Sequence, residues 1–339
     1  MRKSAFPVGR EAWLTLGLVL VLVATAVAGF YFTRATTLTL AVAPNGGTEP
    51  DLLRAYAGEL ARRKTGVQLR ILDFPGVRES AEALRTGKAD LAVVRPDVAM
   101  PGNGLTLAIL RELAAFAAAP AGFGIGSIPD LAGKRLGMLA SRDADRTLLR
   151  DLLTRDGLEP LTEAPNGPVP PQAVLLVPLE EADVTAAFGD GRIDAMALVT
   201  TPTLPAARRL VGFVRAASED GTVALVGVPD TAAVLARWPR LQSVTVPAGL
   251  FSGNPRLPAE DVATVGSSYR LMARASLSRS VAAEVTQHLF EMRAALAETV
   301  PAAEALTYPA YEDTADATTA RLPIHPGAID YYEREQETF

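Results

Sequence analysis

The sequence predicts an α/β protein of two lobes, each a mainly parallel sheet flanked by helices, with one transmembrane helix at its N-terminus. Strand and helix patterns alternate at the spacing of βαβ units. The alternation restarts in mid-chain, and one uncharged apolar run stands near the start. A chain of 339 residues exceeds one ordinary core but suits two lobes of roughly 100 to 150 residues each.

The apolar run, WLTLGLVLVLVATAVAGFYF (13–32), is about 20 residues long and at about 1.5 Å per residue spans a hydrocarbon core of about 30 Å. Arg2, Lys3 and Arg10 precede it against Glu11 alone, so residues 1–12 are expected in the cytoplasm, 13–33 as the anchor, and everything after Arg34 outside. The expected location is the cytoplasmic membrane, with the bulk of the chain in the periplasm. A cleaved signal peptide is the competing reading, because Ala26-Val27-Ala28 is an acceptable cleavage site. The apolar residues continuing through Phe32 favour the anchor.

After the anchor, TTLTLAVAP (36–44) reads as a strand that ends in Asn45-Gly46-Gly47-Thr48 and opens the amphipathic helix DLLRAYAGELARRK. VQLRILDF (67–74) is a second strand, and a helix through ESAEALRTG starts at Glu79 and Ser80. Residues 90–94 form a short apolar strand. The order then repeats, with LAGKRLGML (131–139) as strand, 143–153 as helix and 173–177 as strand. ALRTGKADLAVVR (83–95) echoes AFGDGRIDAMALV (187–199): a helix end, a glycine, a basic residue, an aspartate and a buried strand. A shared cap geometry and a duplicated unit both produce such an echo.

TVALVGVP (222–229) and VTVPAGLF (244–251) are further strand-like passages, and long helices are expected between Ala259 and Thr299. The economical topology places residues 35–118 and 225–325 in the first lobe and 119–224 in the second, leaving 326–339 as a C-terminal tail. Two crossing strands then form a hinge. The glycine-rich stretch PAGFGIGSIPDLAGKR (120–135) lies where the first crossing is expected.

Composition narrows the function. A net charge of −5 and a pI near 5.3 give no basic field of the kind that draws a protein to nucleic acid. With no cysteine there is no disulfide framework, thiolate metal site or thiol nucleophile. His288 and His325 are the only histidines, and no HExxH spacing occurs, so neither a metal nor a cofactor is expected. Ser127, Ser141 and Ser252 sit near glycines, yet none forms GxSxG. No phosphate-binding glycine motif is present. The chain reads as a binding protein, not an enzyme.

Open α/β sheets bind ligands at the C-terminal ends of their parallel strands. Asn45, Gly46, Gly47 and Thr48 occupy one such end, where backbone N–H groups, a hydroxyl and a helix N-terminus suit a carboxylate. A plain turn with a cap is the alternative. Arg95 ends the 90–94 strand and precedes Pro96-Asp97, so it either takes a carboxylate bidentately or pairs internally with Asp97. Ser141, with Arg142 and Asp143, and Thr200-Thr201-Pro202 hold the corresponding ends in the second lobe, where helix capping is the alternative. All of these are expected to surround one cleft.

The strand and turn at 38–48, GVRESAEALRTGKADLAVVRPD (76–97), DLAGKRLGM (130–138) and the tail LPIHPGAIDYYERE (322–335) together resemble the TAXI class of TRAP-transporter solute receptors, which have the type II periplasmic binding-protein fold. The resemblance covers about residues 36–335 and implies capture of a small organic anion, a carboxylate or an amino acid, for hand-over to TRAP membrane subunits. Family members commonly carry an aromatic residue after Gly-Gly-Thr, where Glu49-Pro50 stands here. An anchored receptor cannot diffuse, which leaves a sensory or scaffolding role beside a membrane partner as the second reading. A third, an enzyme like the pyrimidine-precursor synthases of this fold, needs a histidine-rich site. HPGAIDYYE reads as a turn into a short helix, giving His325 a structural role.

Overall fold

The computed structural model describes residues 35–45, 47–140, 142–309 and 322–337. The anchor expected at 13–33, Gly46 and Ser141 lie outside the described residues. No helix among the described residues is long and apolar enough to cross a membrane.

The strands are β1 (Thr36–Val42), β2 (Val67–Asp73), β3 (Leu91–Val94), β4 (Gly104–Pro120), β5 (Arg135–Leu139), β6 (Glu159–Leu161) and β7 (Ala173–Leu179). They continue as β8 (Ala195–Thr200), β9 (Val223–Val226), β10 (Gln242–Val246), the minor pair β11 (Ser252–Gly253) and β12 (Arg256–Leu257), and β13 (Val262–Arg274). The helices are α1 (Thr48–Arg63), α2 (Val77–Arg85), α3 (Asp143–Arg155), α4 (Val184–Gly189), α5 (Pro205–Ala216), α6 (Thr231–Arg237), α7 (Arg279–Glu291), α8 (Arg293–Thr299) and α9 (Pro326–Glu337).

One mixed sheet runs β2-β1-β3-β13-β4-β8-β5-β7-β6, with β10 on β13 and β9 on β4. The two halves follow one plan. β1 is parallel to β2 and β3, and β13 closes the triple antiparallel to β3. β5 is parallel to β7 and β8, and β4 closes that triple antiparallel to β8.

The echo between 83–95 and 187–199 falls on the third strand of each triple. Gly87 and Gly191 both take positive φ, 75° and 65°, ending α2 and α4. Asp90 then accepts from the Thr39 backbone N–H (2.9 Å) and hydroxyl (2.7 Å), and Asp194 accepts from the Arg135 backbone N–H (2.8 Å). Each aspartate therefore fixes its strand against the first strand of its own triple.

Burial explains why two strands escape a reading of periodicity. β4 and β13 are buried on both faces along most of their length, so neither alternates. Residues 262–274 are β13, not the first part of the helices expected from Ala259; the helical part of that span begins at Arg279. Thr264, Ser267, Ser268 and Arg270 give the segment an amphipathic look, yet all four are buried. The crossing between halves is made by β4, which pairs with β13 over most of its length and with β8 and β9 at its end. The glycine-rich stretch follows it as two short 3-10 turns, Ala121–Phe123 and Ile128–Leu131.

The tail is stitched to the first half. Ile324 bridges to Thr106, the His325 N–H donates to the Thr106 carbonyl (3.0 Å), and the Tyr332 hydroxyl donates to the Leu107 carbonyl. α9 lies on α7, and the Tyr56 hydroxyl of α1 donates to the Val285 carbonyl of α7 (2.8 Å). His325 is buried, with Nε2 donating to the Leu277 carbonyl (3.2 Å) and Nδ1 accepting from the Gly327 N–H (3.1 Å). That is the structural role its turn motif suggests.

Candidate functional site

The parallel strands of both triples bring their C-terminal ends toward the shared strands β4 and β13. After β1, the Gly47 N–H donates to the Pro44 carbonyl (2.9 Å), and α1 begins without a side-chain cap. Asn45 is exposed, and the Thr48 hydroxyl donates to the Glu49 carboxylate (3.4 Å). Glu49 turns inward. It is 2% exposed, and its Oε1 stands 2.5 Å from Nη2 of Arg111 on β4, itself 6% exposed.

After β3, Arg95 is fully buried and every guanidinium nitrogen donates. Nε reaches both Asp97 oxygens (3.1 and 3.2 Å), Nη2 reaches Asp97 Oδ2 (2.9 Å), and Nη1 reaches Asp145 of α3. The internal pairing anticipated as the alternative for Arg95 is thus formed, with a second carboxylate from the other triple. Asp97 also accepts from the Ser267 hydroxyl of β13. Burial alone would lower the Arg95 pKa, but Asp97 and Asp145 outweigh it and hold it well above the ordinary value.

The second triple supplies the facing wall. Arg142 approaches Asp145 (3.9 Å) and donates to the Val199 carbonyl (2.5 Å). Thr200 is buried, and the Thr201 hydroxyl donates to the Glu112 carbonyl. Both threonines sit at the end of β8 and so reach the same junction, with Thr201 tied to β4.

Tyr269 of β13 occupies the middle, with Arg111 5.1 Å and Arg95 5.8 Å from its ring centroid. Its hydroxyl pKa is pushed up, chiefly by burial. A cavity of about 350 Å³ opens beside Asp97 between α3 and the segment after α6, with Asp151, Trp238 and Arg240 on its walls. It is large enough for a small metabolite. A more open groove of about 630 Å³ lies along α2, with Phe74, Arg78 and Met100 on its walls.

Arg111, Tyr269, Ser267 and Asp145 belong to this constellation although strand-end reasoning does not select them. The available signal is Arg111 itself, an arginine inside the apolar run GLTLAILRELAAFAAAP. Among the described residues no group of acidic, histidine or cysteine side chains has the arrangement to hold a metal.

The NMT1-like family matches residues 106–336. No curated protein matches the sequence. XAC2383 from Xanthomonas citri, in a structure bound to chloride ion, aligns with a TM-score of 0.57 at 16% identity, over 88% of this chain and 99% of that one. The same protein bound to ATP aligns with a TM-score of 0.52 at 17% identity, over 89% and 95%. At such identity the likeness shows the fold alone. That fold is α/β, built on one mixed sheet.

Proposed function

Because this chain belongs to the NMT1-like family, we propose that it is an extracytoplasmic receptor that closes two lobes over a small carboxylate-bearing solute. In this reading residues 13–33 hold it on the membrane, and TRAP-type membrane subunits receive the solute. The lobes are 35–118 with 225–325, and 119–224.

One observation carries the reading: two buried guanidinium groups, Arg95 and Arg111, flank Tyr269 where the strand ends of both triples converge. A guanidinium binds a carboxylate through paired N–H donors, and a low-dielectric setting strengthens that contact. Here each guanidinium already carries a carboxylate of the chain itself. Arg111 is the less satisfied, because its Nε is buried without a hydrogen-bond partner. It is the primary anchor. In this reading the turn at Asn45, Gly46, Gly47 and Thr48 is assigned to the same carboxylate, Arg95 and Asp97 to the floor, and Ser141, Thr200 and Thr201 to closure from the second lobe.

The test is thermal unfolding of the detergent-solubilised full chain against monocarboxylates, dicarboxylates, keto acids and amino acids. A bound solute at about 100 times its Kd adds about 2.7 kcal/mol and raises the midpoint by a few degrees. A rise confined to one chemical class supports the receptor reading, and a flat response across the panel removes it.

A further inference from the structure

We propose that Glu49 determines specificity: it receives the ammonium group of a zwitterionic solute whose carboxylate takes Arg111, and it turns dianions away. The inference rests on the receptor reading above and names the solute class for that site.

The Glu49–Arg111 pair is short of ideal. Oε1 and Nη2 are 2.5 Å apart but off the hydrogen-bond line, and Glu49 Oε1 and Arg111 Nε are both buried without a hydrogen-bond partner. An acceptor and a donor thus stand side by side, each inside the protein and each incompletely used. Buried polar atoms in that condition are costly, and a ligand that supplies both complements relieves the cost. A carboxylate satisfies only the arginine. It also sets a second negative charge against Glu49, which the start of α1 and the Thr48 hydroxyl hold in place.

The charge balance of the site points the same way. Arg95, Arg111 and Arg142 face Asp97, Asp145 and Glu49, so the cluster is already neutral. On the other face of the same strands, Arg270 lies opposite Glu112 in charge as well. A dianion entering this surrounding brings two uncompensated charges, a monoanion brings one, and a zwitterion none. Burying an unpaired charge is the most expensive of these outcomes. The zwitterion alone also fills both incompletely used atoms.

The test compares chain-length-matched probes by the thermal shift each produces in the full chain: β-alanine against malonate, 4-aminobutyrate against succinate, and 5-aminovalerate against glutarate. The wild type is expected to bind the zwitterion of at least one pair with a Kd at least about tenfold below its dianion, and Glu49→Gln, which keeps the shape and removes the charge, brings that ratio to within about threefold. A dianion that binds the wild type as tightly as its zwitterion overturns the proposal and leaves the receptor reading standing. So does a ratio unchanged in Glu49→Gln. If that variant does not fold, the wild-type ratio decides alone. No shift with any probe overturns this proposal, and a flat response across the wider panel then removes the receptor reading as well.

Discussion

The guanidinium of Arg95, at the end of β3, is ion-paired with the Asp145 carboxylate in the first turns of α3, and this contact ties the two strand triples together across the candidate site. Both partners are buried, so the pair stands on its geometry and not on solvent screening. Arg95→Ala leaves Asp97 buried without its cation and Asp145 with only the more distant Arg142, and is expected to cost about 3–5 kcal/mol of unfolding free energy in urea titrations. A double-mutant cycle with Asp145→Ala should return a coupling of about 1 kcal/mol or more. Additive effects would mean that the contact does not hold the triples together.

Asp90 and Asp194 predict an acid limb in the stability profile. Burial alone would raise both carboxyls, but hydrogen bonds from Thr39 and Arg274 to Asp90, and from Arg135 to Asp194, outweigh it and hold both below the usual carboxylate value. A depressed folded pKa contributes stability that is present above the unfolded value, about 3.9, and is lost as pH falls through the folded value. The Asp90→Asn, Asp194→Asn double variant is therefore expected to melt lower at pH 7 and to lose less on going from about pH 5 to pH 3. Parallel melting curves across that window would contradict the assignment.

His325 sets a separate window. Burial lowers its pKa from the ordinary 6.5, against a smaller opposing effect of the Leu277 carbonyl. Its Nδ1 accepts from the Gly327 N–H, so the imidazole is neutral, and a proton on Nδ1 would break that bond. Stability from this group is present above the unfolded value and is lost as pH falls through the depressed folded one. Melting temperature should drop between about pH 7 and pH 5, and His325→Gln should flatten that drop.

Gly266 of β13 lies against the backbone of β4. A Cβ there would overlap the Leu113 carbonyl oxygen and press on Val244 Cγ2, and both neighbours belong to strands. Gly266→Ala is expected to destabilise by about 3 kcal/mol, read as a lower midpoint in urea with an unchanged slope. A loss below about 0.5 kcal/mol would show that the strands can part without cost.

The sequence makes the α/β alternation legible because the outer strands and helices bury one face each. β1, β2 and α1 follow their patterns, although α1 begins at Thr48, three residues before the expected start at Asp51. Gly87 and Gly191 announce the repeated unit because a left-handed helix end favours glycine. β4 and β13 are not legible, since a strand covered on both faces has no period to read. The site divides along the same line. Arg95 and Asp97 stand next to a strand end and can be found there, whereas Arg111, Tyr269 and Ser267 reach the site only because β4 and β13 pair at long range.

Whether Arg111 anchors a solute carboxylate is read by calorimetric titration of the wild type and Arg111→Ala with the panel solute that gives the largest thermal shift. The variant, still folded by circular dichroism, is expected to lose about 100-fold in affinity, the scale of truncating a buried charged hydrogen-bonding partner. An affinity within about twofold of the wild type would contradict it.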